Sequence, residues 1–222
     1  MSNVSPMVNA VETSSLADKA YYAIREMIVS LEFRPGAVIN ERALTERLRI
    51  GRTPTREALR RLAQEKLVEV YPRRGMFVTS VEIGDLASLC EVRAVLESHA
   101  ARLAAERLTE PDRAELGGLI AALGEPPAGE RALMALDERI HRVIYRLARN
   151  PFLEETLEEY YVLALRIWYL ALDQARELRG AVQEHRALLA AVCSGEATRA
   201  EELMRAHVDG FERAMRAALL GD

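Results

Sequence analysis

Apolar residues recur through the front of the chain at the spacing of a helix. Leu16, Ala20, Ala23, Ile24, Met27, Ile28 and Leu31 form one stripe, and the "RPG" turn at Arg34 to Gly36 ends it. Asn40 is placed to cap a second helix, "ERALTERL", whose Leu44 and Leu48 lie one turn apart. After a sharp break at "RIG", the pattern predicts a third helix from Pro54 to Lys66, capped by Thr53, with Ala58, Leu59, Leu62 and Ala63 inward. The period then changes: "LVEVY" and "MFVTSV" alternate as strands do, and "PRRG" between them makes a hairpin turn. Three helices followed by a two-stranded hairpin is the order of a winged helix-turn-helix.

From Ile83 onward only helical periodicity remains. It predicts six helices, over 83–108, 111–124, 130–149, 152–174, 177–194 and 196–219, separated by "TEP", "GEPPAG", "NP", the polar "DQAREL" and "SGEA". The expected fold is mainly α: an N-terminal winged helix-turn-helix (three helices plus a β-hairpin wing) and a C-terminal all-α bundle of about six helices. The expected boundaries are a flexible tail at 1–15, the winged helix over 16–81 and the bundle over 83–220.

Charge divides the chain at the same place. Residues 1–80 carry 13 Lys/Arg against 9 Asp/Glu, while residues 81–222 carry 17 against 25, so a basic front precedes an acidic back within a formal net charge of -4. Such asymmetry points to a front that faces a polyanion and a back with another partner. Two cysteines, Cys90 and Cys193, sit far apart in apolar helical segments and suit a reducing compartment. The opening residues lack the basic start and apolar core of a signal peptide. The most apolar stretch, Tyr160 to Leu172, is broken by Arg166 and is too short to span a bilayer. The expected location is the cytoplasm, with no membrane partner.

The basic residues concentrate where such a fold touches DNA. Arg52, Thr53 and Arg56 stand at the start of the third helix, whose N-terminal end meets base edges in this motif. Arginine donates two hydrogen bonds to guanine, and a helix N-terminus attracts phosphate. Arg60 and Arg61 follow one turn later, positioned for the DNA backbone or for pairs with Glu57 and Glu65. At the hairpin tip, Arg73, Arg74 and Gly75 are suited to a groove. Surface arginines also pair with glutamates on wet helices, but here they fall at the turn and the wing.

Three of the four histidines, His141, His185 and His207, fall on predicted helices of the back half together with Asp137. Asp137 and His141, four residues apart, share one helix face. One carboxylate with three imidazoles suits a divalent transition metal, Zn first, with Ni, Mn or Fe accepting the same donors. The D-x-x-x-H spacing is common by chance, and His99 falls outside the set.

Residues Pro35 to Val78, "PGAVINERALTERLRIGRTPTREALRRLAQEKLVEVYPRRGMFV", closely resemble the DNA-binding domain of GntR-family transcriptional regulators. The resemblance implies DNA contacts from Arg42, Arg52, Thr53, Arg56, Arg74 and Gly75. It departs at Gly51, where the family usually has Ser or Thr, so a hydroxyl contact to phosphate is missing, and at Thr55, where an apolar residue is usual. "LCEVRAVLESHAARLAA", "DERIHRVIYRLARNPFL", "VQEHRALLAAV" and "MRAHV" are similar to the FCD domain of the FadR-like branch, an all-α domain that binds small effectors. That likeness implies Asp137, His141, His185 and His207 as metal ligands. It further implies Arg93 as a cavity arginine that clamps an effector carboxylate; the alternative for Arg93 is a surface salt bridge with Glu97.

The expected function is that of a ligand-responsive transcriptional regulator and not an enzyme. A homodimer on a pseudo-palindromic double-stranded DNA operator would be modulated by a small carboxylate-containing metabolite bound at the metal site. A metallohydrolase is the alternative from the same residues; it would have to recruit Glu91 or Glu97 as general base, and no H-E-x-x-H stands in the chain. A purely structural metal is the third reading.

Overall fold

The structure, a computed structural model, describes residues 15–171 and 178–220. Residues 1–14 of the expected tail and most of the "DQAREL" segment lie outside the described residues, while the tail's last residue, Ser15, is described. The chain divides into two compact units, Met1–Val81 and Glu82–Asp222.

In the first unit α1 (Leu16–Val29), α2 (Glu41–Leu48) and α3 (Arg52–Gln64) surround a small core. Ser15 and Asp18 form a capping box that starts α1. Its buried stripe runs through Ala17, Ala20, Tyr21, Ile24, Met27 and Ile28. Leu16 is instead exposed, and Leu31 has left the helix with φ 57°. Asn40 caps α2 as expected, accepting from the Ala43 amide at 3.1 Å. Ile24, Ile28, Leu59 and Leu62 meet at 0% exposure, each side chain contributing about 1.5–3 kcal/mol.

α3 begins two residues earlier than the pattern suggests. Gly51, not Thr53, is its N-cap, and the Gly51 carbonyl accepts from the Thr55 amide at 3.2 Å. Pro54 therefore sits third in the helix, still among the first four N–H positions that have no intrahelical partner. Thr55 is wholly buried and its hydroxyl also donates to the Gly51 carbonyl, at 2.9 Å, which satisfies a polar group in an apolar position.

The wing is a three-stranded antiparallel sheet in the order β1-β3-β2, made of β1 (Val38–Ile39), β2 (Val68–Tyr71) and β3 (Gly75–Val78). Val70 pairs with Met76 and Tyr71 with Gly75 across the hairpin. The hairpin was legible in the sequence, but β1 was not: two residues have no period, and only pairing with Phe77 and Met76 makes them a strand.

The second unit contains α4 (Leu86–Glu106), entered by a 3-10 turn, then α5 (Glu110–Gly124), α6 (Glu130–Leu147), α7 (Pro151–Ala171), α8 (Leu178–Cys193) and α9 (Ala197–Leu220). α4 packs against α6, α7, α8 and α9. Its run of small buried residues, Ala94, Ala100, Ala101, Ala104 and Ala105, lets the other helices come close. Cys90, buried, and Cys193, half-buried, are both free thiols. No helix among the described residues is long and apolar enough to cross a membrane.

Candidate metal centre and nucleic-acid interface

α6 buries one face through Met134, Asp137, Ile140, His141, Ile144 and Tyr145. Helical spacing therefore carries Asp137 and His141 into the core together. α8 contributes His185 and α9 contributes His207. All four side chains are buried, and one donor atom from each lies within 4.8 Å of the others.

His141 Nε2 stands 3.1 Å from His185 Nε2 and 3.3 Å from His207 Nε2. It is also 3.8 Å from Asp137 Oδ2. Nitrogens bound to one tetrahedral zinc at about 2.0–2.1 Å stand roughly 3.3 Å apart. With Nε2 unprotonated on all three rings, their lone pairs converge on one point and repel there unless a cation lies between them. Asp137 Oδ1 is buried with no hydrogen-bond partner among the described residues, a state that a cation would relieve. The donor set and its spacing fit a divalent transition metal.

The outer contacts orient these donors. Glu97 Oε2 lies 2.7 Å from His141 Nδ1, and Glu184 Oε2 lies 3.1 Å from His207 Nδ1. A carboxylate on Nδ1 keeps the ring proton there and leaves Nε2 free to bind. The Tyr161 hydroxyl donates to Asp137 Oδ2 at 2.7 Å, and its ring stacks on His141. Burial pushes the Tyr161 phenol well above its ordinary range, and the Asp137 carboxylate adds to that. The Tyr145 phenol is raised in the same way by burial and by Glu97. Both phenols remain neutral donors.

Arg93 is 3% exposed, and its Nε donates to Glu97 Oε1 at 2.6 Å. This is the Arg93–Glu97 pair considered in the sequence, but it lies inside the bundle and not on its surface. Burial opposes the ionised Glu97, yet the Arg93 guanidinium, and after it His141, hold its carboxyl well below the usual range. Arg93 Nη1 has no hydrogen-bond partner among the described residues. With Asp137, His141, Tyr161, Trp168, His207 and Phe211, Arg93 lines a cavity of about 10 Å³. That is room for about one water. His99 is exposed and stands apart from the cluster.

Glu97, Tyr145, Tyr161 and Glu184 are the site residues that sequence reasoning did not place. Glu97 was visible four residues after Arg93 and Glu184 beside His185, but nothing local marks either as a neighbour of an imidazole nitrogen.

In the first unit, Arg52 and Thr53 open α3 and are exposed. Arg56, one turn on, donates through Nε to Glu41 Oε2 at 2.6 Å. Arg42 pairs with Glu46 at 2.9 Å and is largely exposed. Arg60 is exposed, whereas Arg61 is half-buried and engaged within the unit, with neither Glu57 nor Glu65 as its hydrogen-bond partner. Arg61 donates to Asp18 at 2.7 Å and its guanidinium lies 4.1 Å from the Tyr21 ring centroid, which ties α3 to α1. At the wing tip Arg73 and Gly75 have φ of 65° and 104°. The Arg74 amide closes the turn on the Tyr71 carbonyl at 3.1 Å, which leaves the Arg73 and Arg74 side chains exposed.

Comparison with known proteins matches both units. Residues 16–78 match the bacterial regulatory proteins of the gntR family, and residues 88–210 match the FCD domain. The chain is 40% identical over 134 residues to the Nta operon transcriptional regulator of Aminobacter aminovorans, an alignment covering 59% of this chain and 63% of that one. It is 34% identical over 164 residues to the HTH-type transcriptional regulator McbR of Escherichia coli K12, covering 72% and 74%. The solved structure of E. coli McbR/YncC superposes with a TM-score of 0.76 at 26% identity, covering 90% of this chain and 99% of that one. A winged helix-turn-helix matching the one domain, followed by a helical bundle matching the other, makes this chain a member of the gntR family of bacterial transcriptional regulators, with an FCD domain as its C-terminal part.

Proposed function

We propose that this regulator is a homodimer that binds a pseudo-palindromic operator in the cytoplasm, and that a small organic acid held at a metal site in its C-terminal part modulates the binding. In this reading residues 16–81 bind DNA and residues 83–220 bind effector and dimerise. Arg52, Thr53 and Arg56 read bases from the start of α3, Arg42 holds the DNA backbone, and Arg74 with Gly75 enters a groove. Asp137, His141, His185 and His207 hold the metal, zinc first among the divalent ions that accept these donors, with Ni, Mn or Fe as alternatives. When bound, the metal supplies a positive centre for an anionic oxygen.

The observation that carries the reading is the convergence of these four buried donors beside Arg93, whose Nη1 has no hydrogen-bond partner among the described residues. A carboxylate placed there would meet a guanidinium and the metal together. The cavity's volume of about 10 Å³ is smaller than any organic acid, so binding requires side chains of the lining to move apart. Such a rearrangement changes DNA binding only if the acid's affinity differs between the DNA-competent and incompetent states.

The test is metal content per chain in purified wild-type and His185→Ala protein, with melting curves across a panel of small carboxylic acids. The reading expects about one transition metal per chain, lost in the variant, and a stabilising shift for one acid that also changes DNA binding. Metal-replete protein without bound metal, or an acid response that survives loss of the metal, removes the sensor half of the proposal. Turnover of any acid would favour the hydrolase instead.

A further inference from the structure

We infer that Glu97 is a positioning residue that couples the metal site to the cavity guanidinium, its two carboxylate oxygens being divided between Arg93 and His141. The inference rests on the metal reading above and adds to it a route by which anion and metal binding affect one another.

Glu97 is wholly buried at 0% exposure, where an unpaired carboxylate is strongly disfavoured. One oxygen accepts from Arg93 Nε at 2.6 Å and the other meets His141 Nδ1 at 2.7 Å. Arg93 and Glu97 are one turn apart on α4, while His141 comes from α6. A buried ion pair is weak evidence of stabilisation, since apolar side chains of similar volume usually serve a core at least as well. The pair is better accounted for by what it touches at each end.

At one end, the carboxylate holds the His141 proton on Nδ1 and directs Nε2 toward the Nε2 atoms of His185 and His207. At the other end, Arg93 has Nε committed to Glu97 and Nη1 without a hydrogen-bond partner among the described residues. An anion arriving at Nη1 takes a share of the guanidinium's charge. Glu97 is then less strongly held by Arg93 and pulls harder on the His141 proton, which makes Nε2 a better donor to a metal. Anion and metal therefore favour each other's binding, and linkage requires the effect to be equal in both directions.

His207 supplies an internal comparison. Its Nδ1 meets Glu184 at 3.1 Å, but the Glu184 side chain is 55% exposed. Water screens that contact, so Glu184 orients its histidine with little electrostatic leverage.

The experiment measures zinc affinity of the full chain by competition with a chromogenic chelator. Proteins compared are wild type, Glu97→Gln, Glu184→Gln, Arg93→Met, Arg93→Lys and the double variant Arg93→Met/Glu97→Gln, each checked by circular dichroism. Expected are a loss of about 10- to 100-fold for Glu97→Gln and less than about threefold for Glu184→Gln. Arg93→Met, which releases Glu97 to His141, should raise zinc affinity when Glu97 is present and leave it unchanged in the double variant relative to Glu97→Gln alone. Arg93→Lys, which keeps the cation, should restore wild-type affinity. Zinc bound equally well by wild type and Glu97→Gln overturns the coupling alone, as does an Arg93→Met effect of the same size in both backgrounds. Wild-type protein that takes up no zinc overturns the metal reading and the coupling with it. If Glu97→Gln does not fold, Arg93→Met against Arg93→Lys decides: equal affinities in wild type, Met and Lys proteins overturn the inference.

Discussion

Arg56 in α3 and Glu41 in α2 are joined across the helix-turn-helix at 2.6 Å, so a central cation of the proposed recognition helix already has a carboxylate partner when no DNA is present. DNA has to displace that partner to gain the charge. Exposed pairs are worth at most about 1 kcal/mol, and this one is partly screened by water because the Arg56 side chain is 60% exposed.

Glu41→Gln should therefore tighten DNA binding by about two- to fivefold at low salt, converging on wild type as salt rises. Fluorescence anisotropy on a selected duplex, repeated across salt concentrations, measures both. Equal affinity at every salt concentration would show that the pair does not compete with phosphate.

Arg52 and Arg74 should respond in different ways. Arg52→Ala is expected to cost about 1–3 kcal/mol on the preferred sequence and to relax preference at one position. Arg74→Ala should weaken all duplexes alike and lower the salt slope by about 1. Competition with single-base variants of the site separates the two patterns, and identical behaviour would remove the division between recognition helix and wing.

Gly51 has φ -62°, and a Cβ built there meets only the Pro54 ring, at 3.8 Å. Gly51→Ser fits without strain and restores a hydroxyl at the N-cap of α3. The expected gain is a few tenths of a kcal/mol in stability and about 1 kcal/mol in DNA affinity if the hydroxyl reaches a phosphate. Melting curves and anisotropy give the two values independently.

Arg61 is held by Asp18 and Tyr21, so its removal is expected to act on the fold and not on DNA reading. Arg61→Ala should lower the stability of the first unit by about 0.5–1 kcal/mol, the side chain being 39% exposed and its ion pair screened. Sequence preference should stay as in wild type. A loss of preference would place Arg61 at the DNA after all.

Tyr161→Phe removes the bond to Asp137 Oδ2 and leaves a buried carboxylate short of a partner. Zinc affinity should fall about tenfold, and the metal-free protein should lose about 1–3 kcal/mol of stability. Chelator competition reads the first and denaturant melts of metal-free protein read the second.

Most helices could be read from the chain because each one is a local object. Stripes such as Met134, Asp137, Ile140, His141 and Ile144 repeat at the helical period, and Asn40 marks a beginning that the structure keeps. Errors arose where a neighbour's geometry overrode the local signal. α3 starts at Arg52 because Gly51 supplies the first carbonyl, and Leu16 is exposed because the buried face of α1 runs through Ala17 and Tyr21. β1 exists only through its pairing with β3.

The sequence by itself determined the two-part organisation of basic front and acidic back, the helices with their apolar faces, the hairpin, and the placing of Asp137 and His141 on one face. Only the tertiary structure decided that His185 and His207 reach them, that the Arg93–Glu97 pair is buried, that Glu97 also touches His141, and that Arg61 is tied to Asp18 and Tyr21 of α1 and Arg56 to Glu41. The physical reason is one of range. Periodicity and capping act over one or two turns and leave a trace in neighbouring residues, whereas the meeting of side chains 44 or 66 positions apart is set by how helices pack.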